Sequence, residues 1–306
     1  MSPAPTKTSA ASGSHPSSLF LALALIGLLL IWSVNYIAGK IALAHLSPLL
    51  IVSFRFQISA VLLAGIYLAQ RNRTPLRRGD IWTFVYLGFF GYAVNQGCFV
   101  FGLGHTTSEH SVVILAMGPV LILLLASAMG LEKLTPAKIV GMAISCLGVM
   151  LLETEHGSPM HSPLLAGDLI TLAGTLGFAI YTVLGKRVAP RYDTVSMNTF
   201  NAVVAAFLFL PVAVRQGMHL DWGSVGWAGW TGLFYMAAMS AVAGYLLFYW
   251  LLGHMDASRV VVVNYVQPII VFLLSIPILG EHPTGRLLLS AALVLAGVYL
   301  AERASA

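Results

Sequence analysis

Neutral polar and aromatic side chains recur at helical spacing inside segments that are otherwise apolar. Residues three or four positions apart share one face of a helix. Amide side chains can donate to a carboxylate and accept from an ammonium group, while aromatic rings add apolar contact and a cation–π face. These residues predict a binding site for a small zwitterion: Trp32, Asn35 and Tyr36; Tyr92, Asn95 and Gln96; Tyr181; Tyr245 and Tyr249; Asn264 and Gln267.

Two prolines lie midway along apolar segments and are predicted to act as hinges. These are Pro119 and Pro268, and the second directly follows Gln267. Proline frees backbone carbonyls, which can then line a site. For any single amide a second interpretation stays open, since an interhelical hydrogen bond of about 0.6–2 kcal/mol would also explain it. A group of polar and aromatic residues on one helical face therefore supports a binding site better than any single residue does.

The composition requires most of these residues to be positioned by membrane-spanning helices. Of 306 residues, 58% are hydrophobic and only 9% are charged, against about 25% charged in soluble domains. The mean hydropathy is +0.87. A soluble enzyme and a disordered chain are excluded, because each needs far more polar surface. A disulfide scaffold is excluded as well, because the two cysteines, Cys98 and Cys146, lie inside apolar runs.

The apolar runs predict an all-α polytopic protein with ten transmembrane helices, because about 20 apolar residues cross a bilayer. The predicted spans are 19–39, 48–70, 81–104, 111–131, 136–152, 169–185, 194–214, 222–253, 260–280 and 287–301. Residues 1–18 are predicted to be a disordered tail. Most Lys and Arg residues then fall on one side, which predicts cytoplasmic N- and C-termini by the positive-inside rule.

The second half of the chain repeats the first. An offset of 149 residues aligns Gly104-His105 with Gly253-His254, Pro119 with Pro268, and Glu132 with Glu281. The predicted repeats are residues 19–155 and 156–306, with five helices each. Because five is odd, the two repeats must have opposite orientations in the membrane. Inverted repeats are typical of secondary transporters that expose a central site alternately to each side.

The repeated motifs resemble the EamA family of the drug/metabolite transporter superfamily. The first runs Gly130-Leu-Glu-Lys-Leu-Thr-Pro and is followed by Gly141 and Gly148; its twin runs Leu279-Gly-Glu-His-Pro-Thr and is followed by Gly297. The two midway prolines and the pair Arg55-Phe56 also fit. The chain looks most like exporters of aromatic and other neutral amino acids. This resemblance implies a multi-pass protein of the cell inner membrane that moves small-molecule substrates without a cofactor.

The charged residues favour facilitated rather than proton-coupled transport. All acidic residues lie in loops or at helix ends, whereas proton-coupled carriers usually hold a titratable group within the membrane. Glu132 and Glu281 are predicted to cap the helices that follow them. Arg55 alone is charged within a span, where it either snorkels, pairs with carbonyls and an acid, or neutralises a substrate carboxylate. Structural anchoring is the favoured interpretation.

Other functional classes fit less well. The sequence lacks the His-Glu-x-x-His, Gly-x-Ser-x-Gly and phosphate-loop motifs, so neither an enzyme nor a metal site is predicted. Rings of charge typical of ion channels are also missing, and the expected partners are substrate and membrane lipids, not nucleic acid. Two alternatives remain: a proton-coupled carrier of cationic drugs, and a membrane subunit that transports nothing.

Overall fold

The described part of the chain is entirely helical. A computed structural model describes residues 16–71, 73–131, 133–153, 164–185, 188–252, 254–255, 260 and 262–303, and these contain no strand. Residues 1–15 of the predicted tail lie outside the described residues. The first helix begins at Ser18, within that predicted tail, because the Ser17 side chain accepts a hydrogen bond from the Phe20 N–H and caps it.

The helices follow the predicted spans closely. They are α1 Ser18–Leu43, α2 Pro48–Ala69, α3 Ile81–Leu87, α4 Asn95–Leu103, α5 Ser108–Leu115, α6 Gly118–Ala128, α7 Pro136–Glu153, α8 Leu165–Gly185, α9 Thr194–His219, α10 Trp227–Phe234, α11 Tyr245–Leu252, α12 Val262–Leu279 and α13 Gly285–Arg303. The π-helical segments Gly88–Val94 and Tyr235–Gly244 join α3 to α4 and α10 to α11.

Seven helical segments in the described residues are long and apolar enough to cross a membrane. They are Ser18–Leu43, Pro48–Ala69, Arg78–His105, Ser108–Ala128, Leu165–Gly185, Thr194–His219 and Trp227–Leu251. Three apolar helices are shorter: Pro136–Leu152, Val266–Leu279 and Gly285–Ala301. Large apolar side chains such as Phe207 and Val61 are exposed, which a lipid environment would cover. The chain is a multi-pass membrane protein, and ten crossings stay a prediction.

Close helix crossings hold the bundle together where small residues let backbones approach. Helix α7 packs along α13, α2 along α9, and α4 along α8. A Cβ atom added to Gly141 would lie 2.5 Å from the Gly297 carbonyl oxygen. The glycines of the two repeated motifs therefore meet directly, as is common between membrane helices.

The π-helical segments are a feature that the sequence pattern did not predict. They occupy corresponding places in the two halves, each immediately before residues of the predicted site, Asn95-Gln96 in one half and Tyr245 in the other. A π-helical turn shifts the helical register, so that the next side chains point in a new direction. Such turns are frequently found at functional sites.

Candidate functional site

One central cavity of about 570 Å³ brings together most of the predicted site residues. Ten of the eleven line it, from helices in both halves: Trp32, Asn35, Tyr36, Asn95, Gln96, Tyr181, Tyr245, Tyr249, Asn264 and Gln267. Its volume is within the range of small-molecule sites. The helical faces predicted separately from spacing therefore converge on one space.

Gln96 is the polar centre of this cavity. Its Nε2 donates to the Tyr245 hydroxyl at 2.7 Å and to Asn95 Oδ1 at 3.3 Å. Asn95 in turn donates to the Gly174 carbonyl oxygen at 3.0 Å, which fixes the amide to α8. The Trp32 ring contacts the Tyr245 ring edge-on, with centroids 5.7 Å apart. Gln96 thus links the two halves across the cavity wall.

The part of the cavity wall that α8 forms depends on two features of Tyr181: a hydrogen bond of its hydroxyl group and close packing of its ring. Tyr181 and Tyr249 share a hydrogen bond of 3.0 Å between their hydroxyl groups. Gly91, in the π-helical segment, faces the Tyr181 ring so closely that an added Cβ would overlap it. The Tyr181 ring can therefore occupy its position only because residue 91 has no side chain.

Tyr92 is the one predicted site residue that does not line the cavity. Its side chain is 1% exposed, and its hydroxyl donates to Asn198 Oδ1 at 2.8 Å. Its ring lies 5.9 Å from that of Tyr245, which does line the cavity. Tyr92 therefore occupies a second layer behind the wall, and its proposed contact with substrate stays a prediction.

The two predicted hinge prolines have different surroundings. Pro119 follows a break in the helix at Ala116–Met117, is the second residue of α6, and lines the cavity. Pro268 is buried within the continuous helix α12, next to the cavity residue Gln267. Hinge motion at either position stays a prediction.

Several lining residues were not among the predicted site residues. Thr175, Ser240 and Phe248 face the cavity, as do apolar residues of α5 and α6 such as Leu115 and Ile122. Thr175 could have been found, because steps of three residues lead from it through Phe178 to the predicted residue Tyr181 on one helical face. The position of Ser240 depends on a π-helical segment, which the regular helical period does not reveal.

The cavity extends toward one end of the bundle. Its lining reaches Gly185 at the end of α8, Met197 at the start of α9 and Ala301 near the end of α13. We call this the mouth end. In the other direction the lining stops at Phe99 and Val112, so about one helical turn of protein separates it from the opposite end.

That opposite end is closed by buried carboxylates, and we call it the clasp end. Asp168, in the first turn of α8, is 2% exposed. It accepts a hydrogen bond from Thr106 Oγ1 at 2.6 Å and lies 2.8 Å from His110 Nδ1. Lys40 Nζ donates to the Thr106 carbonyl oxygen. The loop between α4 and α5 is thereby attached to both α1 and α8.

Two glutamates complete the clasp end. Glu109 Oε1 accepts from Ser275 Oγ at 2.9 Å, and Glu281 Oε1 accepts from the Ser108 N–H at 3.1 Å. The Ser108 hydroxyl also donates to Glu281. Each of the carboxylate bonds just named joins a residue before position 156 to one after it. The clasp therefore connects the two halves of the chain.

These contacts change two inferences from the sequence, one on proton coupling and one on helix capping. Asp168 and Glu109 lie at helix ends, yet they are buried, because neighbouring helices cover those ends. Their peripheral position therefore no longer argues against proton coupling. Glu281 caps α5 in the other half rather than α13, the helix that follows it. The corresponding residue Glu132 lies outside the described residues.

Arg55 also differs from its predicted role as an anchor. It is 1% exposed, so it does not snorkel, and its Nε and Nη1 atoms have no hydrogen-bond partner. Within the described part of the chain it forms no ion pair. The carbonyls and acid that anchoring requires are therefore missing there.

Replacing Gln96 with leucine is expected to reduce substrate flux about tenfold or more. The change removes the donor to Tyr245 and leaves buried polar groups unpaired, at a cost of about 1–3 kcal/mol. Gln57→Leu is the matched control, because Gln57 donates to the Ala206 carbonyl oxygen between α2 and α9, outside the cavity lining. Uptake into proteoliposomes, normalised to protein content, makes the comparison. Equal losses in both variants would contradict a role for Gln96 in the cavity.

Comparison with known protein families finds the same transporter family twice along the chain. The model of the EamA-like transporter family matches residues 19–154 and again residues 165–302. A crystal structure with 20% sequence identity superposes with a TM-score of 0.61, covering 95% of this chain and all of that one. That likeness supports the fold.

Full-length relatives are named as transporters. One from Archaeoglobus fulgidus, an uncharacterized transporter, is 28% identical over 89% of this chain and 95% of its own length. Probable amino-acid metabolite efflux pumps of Salmonella typhimurium and Escherichia coli are each 25% identical. The Salmonella protein is aligned over 92% of this chain and 93% of its own length. For the Escherichia protein the shares are 88% and 90%.

Proposed function

Because the chain belongs to the EamA-like transporter family, we propose that it exports aromatic and other neutral amino acids by alternating access. The observation that carries this proposal is the cavity lining. No Lys, Arg, Asp, Glu or His is among the described residues that line it, whereas amides, hydroxyls and aromatic rings are abundant.

This lining suits a small zwitterion with an apolar side chain. Amides such as Asn35, Asn264 and Gln267 can donate to the carboxylate or accept from the ammonium group. Rings such as Trp32 and Tyr249 offer apolar contact and a cation–π face. A phosphorylated sugar would need several cationic side chains, which the lining does not provide. The names of the Salmonella and Escherichia relatives agree with this substrate class.

Alternating access between two inverted five-helix repeats is supported by the hydrogen bond at the cavity centre. Gln96 and Tyr245 are 149 residues apart, which is the offset between the repeats. Residues related by a pseudo-twofold axis can touch only where they lie near that axis. The proposed axis therefore passes through the cavity, as expected for a carrier with a central site.

The proposed orientation places the mouth end in the cytoplasm and the clasp end outside. Lys and Arg residues are concentrated near the mouth end, including Arg191 and Arg303, which favours a cytoplasmic location in the inner membrane with both termini inside. In this orientation the cavity extends toward the cytoplasm, the side from which an exporter takes its substrate.

Uptake into proteoliposomes tests this proposal. Labelled phenylalanine and threonine are offered with and without an imposed pH gradient, and protein-free liposomes serve as the control. Saturable uptake of phenylalanine above the control supports amino-acid transport. Uptake that does not depend on the gradient supports facilitated transport, whereas uptake only with the gradient supports proton coupling.

The main competing function is export of cationic drugs. The aromatic lining would favour a cation, so a labelled quaternary ammonium compound is included in the same assay. Uptake of this compound without uptake of either amino acid would overturn the proposal. Absence of flux for all three substrates would favour a membrane subunit that transports nothing.

A further inference from the structure

We propose that Arg55 is the carboxylate-binding residue of this transporter, and that it receives the substrate carboxylate behind the Gln96–Tyr245 pair. This inference rests on the proposed function and adds the substrate group that the transporter selects. It assigns a binding role to a buried cation that the cavity lining does not include.

The surroundings of Arg55 make a structural role insufficient. Its side chain is 1% exposed, and two of its N–H-bearing atoms, Nε and Nη1, have no partner. A buried charge without partners is strongly unfavourable, so buried arginines are normally paired with an acid or with carbonyl oxygens. Neither is found in the described part of the chain. The unpaired donors are therefore suited to an anion that the protein does not itself contain.

The position of Arg55 is next to the candidate site. Two tyrosines, Tyr245 and Tyr92, lie close enough to the Arg55 guanidinium group to influence its electrostatics. Tyr245 lines the cavity, whereas Tyr92 lies in the layer behind it. Arg55 thus lies close to Tyr245, a residue of the cavity wall whose hydroxyl accepts a hydrogen bond from Gln96. In this proposal, a shift of the Tyr245 side chain exposes the guanidinium group to a substrate bound in the cavity.

The chemistry of the group favours a carboxylate. Guanidinium presents several N–H donors in a plane, which fits the two oxygens of a carboxylate. The neighbouring tyrosine hydroxyls add neutral polar groups without a competing negative charge. Arg55 also lies seven residues after Pro48, the first residue of α2 at the clasp end. A substrate that enters from the mouth end with its carboxylate leading would reach Arg55 at the far end of its path.

The experiment compares two ligands that differ only at the carboxylate. L-phenylalanine and L-phenylalaninamide share the ring and the ammonium group, but the amide lacks the anion. Their affinities are measured by the ligand-dependent rise in melting temperature of the purified protein in detergent, and by inhibition of labelled phenylalanine uptake. The wild-type protein is expected to prefer phenylalanine about 10- to 100-fold, the range for a charge-assisted hydrogen bond.

Arg55→Gln is expected to reduce that preference to about one, and Arg55→Lys to retain part of it, since lysine keeps the charge but loses the bidentate geometry. Ser59→Ala is the matched control. Ser59 lies on the same helix as Arg55, and the change removes its hydrogen bond to the Ala237 carbonyl oxygen without changing a charge. A merely structural role for Arg55 would weaken both ligands equally. Full preference for phenylalanine in Arg55→Gln would overturn the proposal.

Failure of the proposed function is distinguishable from failure of this inference. If the wild-type protein neither binds nor transports the amino acid, the amino-acid assignment fails. The melting temperature is then measured with benzoate, a simple carboxylate. A rise in the wild-type protein that is lost in Arg55→Gln supports the anion site, whereas no rise in the wild-type protein overturns it.

Discussion

Replacing Asp168 with asparagine is expected to open the clasp end. The carboxylate accepts from Thr106 at 2.6 Å and pairs with His110 at 2.8 Å while nearly fully buried. Hydrogen bonds to a charged group contribute about 1.5–3 kcal/mol each. Loss of the charge would therefore weaken the contact between the two halves by about 3 kcal/mol, which corresponds to about a 100-fold change in an equilibrium constant.

The opening can be measured at Ser111, which is buried close to the clasp in the first half. In a background with Cys98→Ser and Cys146→Ser, a single Ser111→Cys change supplies a thiol that reacts with a maleimide only when water reaches it. The reaction is expected to be slow with Asp168 present and about 100-fold faster with Asp168→Asn, by the same free-energy change.

Asp193→Asn is the matched control for this measurement. Burial raises the pKa of Asp193, but hydrogen bonds from Ser196 and Thr74 more than offset this effect, so the pKa lies below its usual value. Asp193 is therefore an ionised carboxylate. Like Asp168 it accepts hydrogen bonds, but it caps α9 at the mouth end. If Asp168→Asn lowers the melting temperature but does not speed the labelling of residue 111, Asp168 stabilises the fold and does not control opening of the clasp end.

Gly297→Ala is expected to have the largest effect on stability. A Cβ at this position would lie 2.5 Å from the Ser145 backbone nitrogen, and one at Gly141 would lie 2.5 Å from the Gly297 carbonyl oxygen. Backbone atoms cannot move aside as a flexible side chain can, so α7 and α13 would have to separate. Overpacking of this kind costs about 1–3 kcal/mol, occasionally more, and removes the packing of a whole helix pair.

Gly65→Ala provides the matched control, since Gly65 is also helical but has no atom within 4 Å of an added Cβ. Alanine there is expected to be neutral or to stabilise the helix by up to about 1 kcal/mol. Melting temperature in detergent and the amount of folded protein in the membrane make the comparison. Equal melting temperatures for the two variants would show that the α7–α13 crossing tolerates a methyl group.

The helical fold could be predicted from the sequence to within a few residues. Most helices begin and end near the predicted bounds, because apolar length and the capping residues are both local properties. Ser47 and Pro48 at the start of α2 are an example: the serine side chain accepts from the Leu50 N–H, and proline suits the first turn. The stretch 222–253 shows the same rule, since its helix begins at Trp227 after the more polar residues 220–226.

The candidate site could be predicted only in part. Helical spacing alone grouped ten residues that the tertiary structure brings to one cavity, because polar groups inside apolar helices tend to face the protein interior. The same rule also selected Tyr92, which packs one layer behind. Spacing specifies a helical face, but the depth of a residue on that face depends on what the neighbouring helices contribute.

What the sequence determined by itself was the membrane environment, the family resemblance and the polar faces, since each depends on composition or on local spacing. The tertiary structure decided where charges are buried. Asp168 and Glu109 lie in the first turns of their helices. Both side chains would be solvated if each helix were isolated, but segments of the other half of the chain cover them. Arg55 is an example of the opposite kind: among the described residues no acid pairs with it, and this follows only from the packing of α2 against its neighbours. Burial is a property of several segments together, so no single segment can encode it.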